Sequence, residues 1–239
     1  RNARKARDDA ELAATALTRT LKASDRVTPT SPLFVLAEPL PPLPQFIDTA
    51  LTRHPGLDKV AAKKEQATQL HAAQEALRKP QVFAFGQRQL KTGKDADWVA
   101  GVDVRWTLWD SIDRNALAAS SQRQIEQAER TGEQARSDIA LLVEKRWLGV
   151  EQARRQFLAM APSLELADEV LRLRTSGLKA GTSTTLDLID AQVNLAKAQT
   201  ERAQAAHDYV KALADLLESC GLSDEFGSYM ARADVMKVE

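Results

Sequence analysis

A long heptad pattern near the C-terminus constrains the fold of this chain more than any other feature. Apolar or small residues recur there at alternating steps of three and four, at Leu186, Ile189, Val193, Ala196, Thr200 and Ala203, and then one heptad apart at Val210 and Leu217. This spacing is typical of a helix that packs along another helix for its whole length. We therefore expect a long helix that belongs to a helical hairpin.

The segment before this helix has the residues of a tight turn. Gly181 tolerates backbone conformations that other residues avoid. Thr184 can cap the new helix, and Asp187, three residues on, completes a capping box. Asp190 adds a second carboxylate to the first turns. Both acids would also be favoured there by the helix dipole alone. A hairpin with acidic residues at its tip suits a scaffold or a pore mouth.

Helical patterns cover most of the remaining chain. Residues 112–176 form one long helix that Pro162 should kink or break, and residues 45–79 form another that ends at Pro80. Between residues 24 and 44 the prolines predict an extended linker, partly in polyproline II conformation, on the protein surface: Pro29, Pro32, Pro39, Pro41, Pro42 and Pro44.

Between residues 81 and 109 the period changes from 3.6 to 2. The second half of this segment, residues 98–109, has an entirely apolar face, and the opposite face carries Asp103 and Arg105. Residues 81–90 form the partner strand, and residues 91–97 form a polar turn. The strand length and the tryptophans at both ends suit a strand of a membrane β-barrel. Asp103 and Arg105 would then face the water-filled lumen of the barrel. A soluble hairpin shows the same alternation, and the hairpin alone favours that alternative.

Composition excludes several function classes. The net charge is zero and both signs are interspersed, so no nucleic-acid partner is expected. No apolar run reaches the roughly 18 residues of a membrane helix. Cys220 is the single cysteine and the three histidines lack ligand-like spacing, so we expect neither a metal site nor a cofactor. Without a nucleophile near a base or a phosphate loop, an enzyme is the least favoured class.

The N-terminal residues align without gaps on part of the C-terminal helix. Residues 2–21 match residues 194–213 at six positions, which include Asn2 with Asn194 and Leu21 with Leu213. This match is what a chain would show if it began inside the closing helix of an earlier repeat. We therefore expect the second half of a duplicated protein.

The order of helix, β-hairpin, very long helix, glycine-containing tip and long helix resembles the second structural repeat of a TolC-type outer membrane factor. Three strings support it: AGTSTTLDLIDAQ at 180–192, ALTRHPGL at 50–57 and WTLWD at 106–110. The resemblance implies a mainly α protein of long antiparallel helical hairpins. One β-hairpin would contribute to a trimeric β-barrel in the outer membrane of a Gram-negative bacterium, with the helices in the periplasm as an α-barrel.

On this interpretation the chain has six parts. They are residues 1–23, the closing helix of a preceding repeat; 24–44, the linker; 45–80, a helix toward the membrane; 81–109, the membrane hairpin; 110–222, the periplasmic helical hairpin with its tip near 178–184; and 223–239, a C-terminal tail.

The resemblance also implies partners and site residues. Such homotrimers work with a periplasmic adaptor and an inner-membrane pump to export drugs, metals, small molecules or proteins. Asp187 and Asp190 match aspartates that line the periplasmic constriction, where three copies would favour cations and raise the pKa of some members. The tip residues that match the adaptor contact are Leu178, Ala180, Gly181, Thr182 and Ser183. The residues that latch the best-known member fall at Leu178 and Ser183, so we expect no polar lock at these two positions, where Arg174 and Lys179 could substitute.

Two alternatives remain open. A periplasmic adaptor also has a long helical hairpin with a tip motif, but this chain lacks the Gly- and Val-rich segments of adaptor lipoyl-like and β-barrel domains. A soluble coiled-coil scaffold explains the heptads but neither the WVAGVDVRWTLW strand nor the proline-rich linker.

Overall fold

The computed structural model describes residues 2–28, 31–89, 97–107 and 113–235. Their helices and strands follow the order α1 (Asn2–Thr20), β1 (Phe34–Val35), α2 (Leu43–Arg53), α3 (Pro55–Ala76), β2 (Gln81–Gln89), β3 (Asp97–Arg105), α4 (Arg114–Ala159), α5 (Ala161–Lys179), α6 (Thr185–Cys220), α7 (Phe226–Arg232) and β4 (Asp234–Val235). The predicted fold class, mainly helical with long helices and a β-hairpin, is confirmed.

The chain divides into two compact units. Unit 1 comprises Arg1–Leu40, Gly149–Ala214 and Asp224–Glu239, and unit 2 comprises Pro41–Leu148 and Asp215–Ser223. Within the described ranges, no helix combines the length and the hydrophobicity needed to cross a membrane.

The core of unit 1 is built around β1, inside the segment that the sequence predicts as a surface linker. Phe34 is 1% exposed, and its ring packs edge-on against Tyr209, with the ring centroids 6.4 Å apart, and against Phe226 at 5.6 Å. Burial raises the pKa of Tyr209 to about 12. β1 pairs antiparallel with β4, with Phe34 opposite Val235. The linker and the C-terminal tail are therefore parts of one core, a correction to the predicted surface linker.

A buried ion pair holds the linker to α4. Glu151 is 4% exposed and accepts hydrogen bonds from the Leu40 backbone N–H at 2.9 Å and from Arg154 Nη2 at 2.8 Å. Arg154 Nη1 in turn donates to the Ala37 carbonyl at 3.0 Å. Extended, proline-rich backbone has no ladder to satisfy its polar groups, so these side chains supply the missing partners.

The first half of α6 buries a different face from the predicted heptad seam. The seam residues Leu186, Ile189 and Val193 are 67%, 49% and 60% exposed. The buried apolar residues of α6 lie mainly on another face: Ala191 in the first half, then Ala205, Ala206, Tyr209, Leu213, Leu216, Leu217 and Cys220. Of the predicted positions, Leu217 is buried. Ala and other small residues repeat on both faces, so spacing alone does not distinguish them.

Proline positions decide where the helices break. The expected break at Pro162 is confirmed, because α4 ends at Ala159 and α5 begins at Ala161. The single helix predicted over residues 45–79 is wrong, because it divides into α2 and α3 at His54, whose backbone is extended. Pro55 disfavours helical backbone in the residue before it. The His54 ring then caps α3, with Nδ1 accepting from the Gly56 N–H at 3.0 Å.

In unit 2, α4 also contacts the chain on either side of it. The indole Nε1 of Trp147 donates to the Pro41 carbonyl at 3.0 Å, and the Arg146 guanidinium donates to the Asp215 carbonyl. At the end of α6, Gly221 has φ +69°, and a Cβ there would lie 2.9 Å from the Arg53 carbonyl oxygen. A side chain at this position would be both strained and crowded.

We predict that Glu151→Ala lowers the free energy of unfolding of the purified chain by about 3 kcal/mol, because it leaves the Arg154 charge buried and unpaired. Urea unfolding monitored by circular dichroism measures the change. Glu169→Ala is the matched control, since Glu169 pairs with Arg172 at the same i,i+3 spacing but exposed to solvent, where ion pairs contribute little. Equal effects of the two substitutions would contradict a stabilising role of the buried Glu151–Arg154 pair.

The same carboxylate predicts a pH dependence. Burial alone would raise the pKa of Glu151, but the hydrogen bonds from Arg154 and the Leu40 N–H and the charges of Arg154 and Arg155 outweigh it, so the pKa lies below its ordinary 4.5. The unfolded chain therefore takes up the proton at higher pH than the folded chain, and stability is lost as the pH falls below about 4.5. The difference in unfolding free energy between the wild type and Glu151→Ala should shrink in that range. A difference in unfolding free energy that stays constant with pH would contradict this prediction.

Candidate functional site

The tip between α5 and α6 is a glycine-terminated helix end followed directly by a helix start. Gly181 has φ +76°, and its N–H donates to the Leu178 carbonyl at 3.2 Å, while the Thr182 N–H reaches the Gly177 carbonyl at 2.8 Å. This pair of bonds is the Schellman arrangement, which needs a left-handed residue after the helix. The turn predicted at Gly181 is confirmed.

Gly177 is a tip residue that the sequence analysis missed. The Ser183 N–H also donates to its carbonyl, at 3.2 Å. A Cβ at Gly177 would overlap the Ser183 hydroxyl and lie 3.1 Å from Thr182 Oγ1. The turn therefore folds back on a helical position that has no side chain. The available signal was a glycine inside a helical pattern four residues before the turn glycine.

The predicted capping box is confirmed. Asp187 Oδ2 accepts from the Thr184 N–H at 2.9 Å and from the Thr184 hydroxyl at 2.7 Å, and the Asp187 N–H donates to Thr184 Oγ1 at 3.1 Å. The Thr184 N–H, then its hydroxyl, and the charge of Arg174 hold the pKa of Asp187 below its ordinary 3.8. The raised pKa that we expect for some of the tip aspartates requires like charges from several copies of the tip, so it stays a prediction.

Asp190 lies nearly one turn further along α6. Its side chain is exposed, and among the described residues no hydrogen bond or ion pair involves it. The structure thus brings the two acids onto one helix start but gives only Asp187 a bonding partner. Of the expected contact residues, Leu178, Ala180, Gly181 and Thr182 are exposed and Ser183 is half-buried.

The β-hairpin of unit 2 has two chemically different faces. Val82, Ala84 and Gly86 of β2 stand opposite Val104, Val102 and Ala100 of β3, which makes one face apolar. The other face carries Phe83 opposite Asp103 and Phe85 opposite Gly101. The apolar side chains are open to solvent, with Val102 67% and Val104 61% exposed. Leu108, Trp109 and most of the predicted polar turn lie outside the described residues.

Asp103 and Arg105 contact each other on the mixed face. Arg105 Nε donates to Asp103 Oδ2 at 2.8 Å, and its guanidinium lies 5.4 Å from the centre of the Phe83 ring. The Phe85 ring covers Gly101, where a Cβ would lie 2.9 Å from the ring. The prediction that both charges share one face is confirmed. The described residues contain no cluster of side chains suited to a metal ion.

A family model described as outer membrane efflux protein matches residues 46–222, which include the β-hairpin and the tip. The chain belongs to the outer membrane efflux protein family. The resemblance found in the sequence, and the outer-membrane localisation it implied, are thus confirmed at the level of the family.

The similar proteins are longer than the chain. It is 27% identical over 218 residues to the outer membrane efflux protein BepC of Brucella suis, an alignment that covers 87% of the chain and 47% of BepC. Among solved structures, it is similar to the open state of the MtrE outer membrane channel of Neisseria gonorrhoeae, with TM-score 0.71, 19% identity, and coverage of 89% of the chain and 50% of MtrE. The CmeC outer membrane channel of Campylobacter jejuni gives TM-score 0.66 at 17% identity, covering 82% of the chain and 45% of CmeC. The chain spans about half the length of these relatives.

The turn at Gly181 can be tested directly. We predict that Gly181→Ala lowers the free energy of unfolding of the purified chain by about 1 kcal/mol, because alanine is strained at φ +76°. Gly149→Ala is the matched control, since Gly149 lies inside α4 with no atom within 4 Å of a Cβ, and alanine is the better helix former. Urea unfolding of both variants should give shifts of opposite sign, and a shared sign would contradict the turn geometry.

Proposed function

We propose that the chain is the C-terminal repeat of an outer-membrane channel that exports solutes as a passive, non-enzymatic conduit in a tripartite efflux or type I secretion system. The family match over residues 46–222 carries this proposal. The match includes the β-hairpin, which a soluble scaffold does not explain. The adaptor is less favoured because the sequence lacks the Gly- and Val-rich segments of its other domains.

The whole channel requires a second repeat and further copies. The N-terminal segment supports the idea of a preceding repeat, because Leu17 of α1 and Leu21, just after α1, align with the buried Tyr209 and Leu213 of α6. The Leu17 and Leu21 side chains are 36% and 59% exposed. A preceding repeat would cover them as β1 and its neighbours cover α6.

We propose that β2 and β3 are two of the strands of a trimeric barrel. The apolar face, with Val102 and Val104, would meet lipid. The mixed face, with Asp103 and Arg105, would line the lumen, where charged groups avoid the desolvation cost of the bilayer. The contact between Asp103 and Arg105 would leave this part of the lumen with little net charge.

The exposed seam on the first half of α6, formed by Leu186, Ile189 and Val193, supports a homotrimer. A heptad stripe left open to solvent is costly for a lone chain and suits a helix from another segment or copy. At the end of this hairpin, the residues from Leu178 to Ser183 would contact the periplasmic adaptor. Asp187 and Asp190 would belong to the constriction that opens when the adaptor and the inner-membrane pump engage.

The membrane role of the hairpin predicts a difference between its two faces. In the full-length protein, Val102→Arg should impair accumulation in the outer membrane, because arginine on a lipid-facing site costs roughly 2–4 kcal/mol at mid-bilayer. Val99→Arg is the matched control, since it places the same charge on the lumen face of the same strand. Density-gradient fractionation of cells with an antibody to this chain measures both.

Two outcomes would overturn the proposal. Equal tolerance of both arginines would argue against a lipid-facing side. Recovery of the wild-type protein in the inner-membrane or soluble fraction would favour an adaptor or a scaffold.

A further inference from the structure

The apolar face of the β-hairpin ends in an arginine beside a tryptophan. Arg88 of β2 stands opposite Trp98 of β3, one pair before the last one, Gln89 with Asp97. Side chains alternate along a strand, so Arg88 and Trp98 share the face that carries Val102. The Cβ atoms of such cross-strand partners are about 5 Å apart. The two side chains therefore start from neighbouring points at the end of the hairpin that lies away from α3 and α4.

A second tryptophan marks the opposite end of this face. Trp106, directly after β3, continues the same alternation, and its indole Nε1 donates to the Arg78 carbonyl at 3.3 Å. The step from Trp98 to Trp106 corresponds to about 27 Å along an antiparallel strand. At the usual tilt of barrel strands this is roughly 20 Å across the membrane, close to the height of the apolar band. The two indoles would then lie at the two interfaces, where tryptophan is enriched.

Arg88 and Trp98 lie at the extracellular interface if the hairpin spans the outer membrane. The helices that extend into the periplasm join the hairpin at its other end, near Trp106. A charge on the lipid face is costly at the midplane of the bilayer but tolerated near an interface. The extracellular leaflet of a Gram-negative outer membrane consists of glycolipid whose head group carries phosphates. Arg88 thus faces a layer of opposite charge.

The guanidinium of Arg88 is available for such a ligand. Its side chain is exposed, and within the described ranges no hydrogen bond, ion pair or ring contact engages it. The other arginine of the hairpin, Arg105, donates to Asp103 at 2.8 Å and lies over the Phe83 ring. A guanidinium has paired N–H donors that match a phosphate in bidentate geometry. Of these two arginines, Arg88 is the one that keeps this edge open.

The neighbouring pair leaves room for the apolar part of a lipid. Gly86 stands opposite Ala100 on the same face, and a Cβ at Gly86 would meet no atom within 4 Å. The surface is therefore shallow between Trp98 and Val102, which are 73% and 67% exposed. An acyl chain that covers this surface removes apolar area from solvent, while the head group of the same molecule stays level with Arg88.

We propose that Arg88 and Trp98 form a binding site for a phosphate group of the outer-leaflet glycolipid. Arg88 binds the phosphate, and Trp98 packs beside the head group at the top of the apolar face. This inference rests on the proposed function as an outer-membrane channel, because that function sets the orientation of the hairpin.

Three variants of the full-length protein test the site. Arg88→Gln removes the charge, and Arg88→Lys keeps the charge but loses the planar pair of donors. The double variant Gln87→Arg/Arg88→Gln moves the arginine to the lumen face at nearly the same height, since Gln87 stands opposite Val99. It is the matched control, because its composition and net charge equal those of the wild type.

Native mass spectrometry of the detergent-purified protein, titrated with lipid A, measures the binding. We expect Arg88→Gln and the double variant to bind about tenfold more weakly than the wild type, the loss typical of a charge-assisted hydrogen bond. Arg88→Lys should bind with intermediate affinity. Lipid A whose phosphates have been removed should bind the wild type as weakly as intact lipid A binds Arg88→Gln. The same spectra show by mass whether each variant assembles.

The outcomes separate this site from the proposed function. Equal affinity of the double variant and the wild type for lipid A would overturn the inference, as would equal binding of intact and dephosphorylated lipid A by the wild type alone. Displacement of lipid A by an excess of inorganic phosphate would also overturn it, because the site would then take a soluble anion. Recovery of the wild-type protein outside the outer membrane would instead overturn the proposed function.

Discussion

The buried Glu151–Arg154 pair holds the proline-rich segment in place within unit 1. That segment has to bring Phe34 into a core with Tyr209 and Phe226, yet its backbone can form only a two-residue strand. Charged side chains on α4 therefore bind the Leu40 N–H and the Ala37 carbonyl. The desolvation of both charges is offset by their mutual contact and these backbone bonds. The aromatic core and the β1–β4 pairing both depend on the segment being held in place.

The features that the sequence predicts correctly are local ones. The turn at Gly181, the Thr184–Asp187 capping box and the break before Pro162 each depend on residues within about one helical turn, so the residue types and spacing suffice. The strand pair is also local, since β2 and β3 are neighbours in the chain and alternate cleanly. A shared face for Asp103 and Arg105 follows directly from the period of two.

The features that the sequence does not predict depend on distant partners. The choice between two similar faces of α6 is made by what packs on them, and Phe34 is far from Tyr209 in the sequence. The strand pairing of residues 34–35 with 234–235 has no signal in two such short segments. Likewise, Gly177 matters because Ser183 folds back on it, and a helical pattern alone does not reveal that approach.

In the proposed homotrimer, the open stripe of Leu186, Ile189 and Val193 would couple the stability of the tip hairpin to assembly. When a partner covers such a stripe only in the folded form, mass action adds to the folding free energy, and the melting temperature rises with protein concentration. At high dilution the first half of α6 would be stabilised chiefly by the tip turn and the Thr184–Asp187 capping box. Each protomer's hairpin would then gain its full rigidity as the copies come together, so that folding of this segment and formation of the oligomer are one coupled equilibrium.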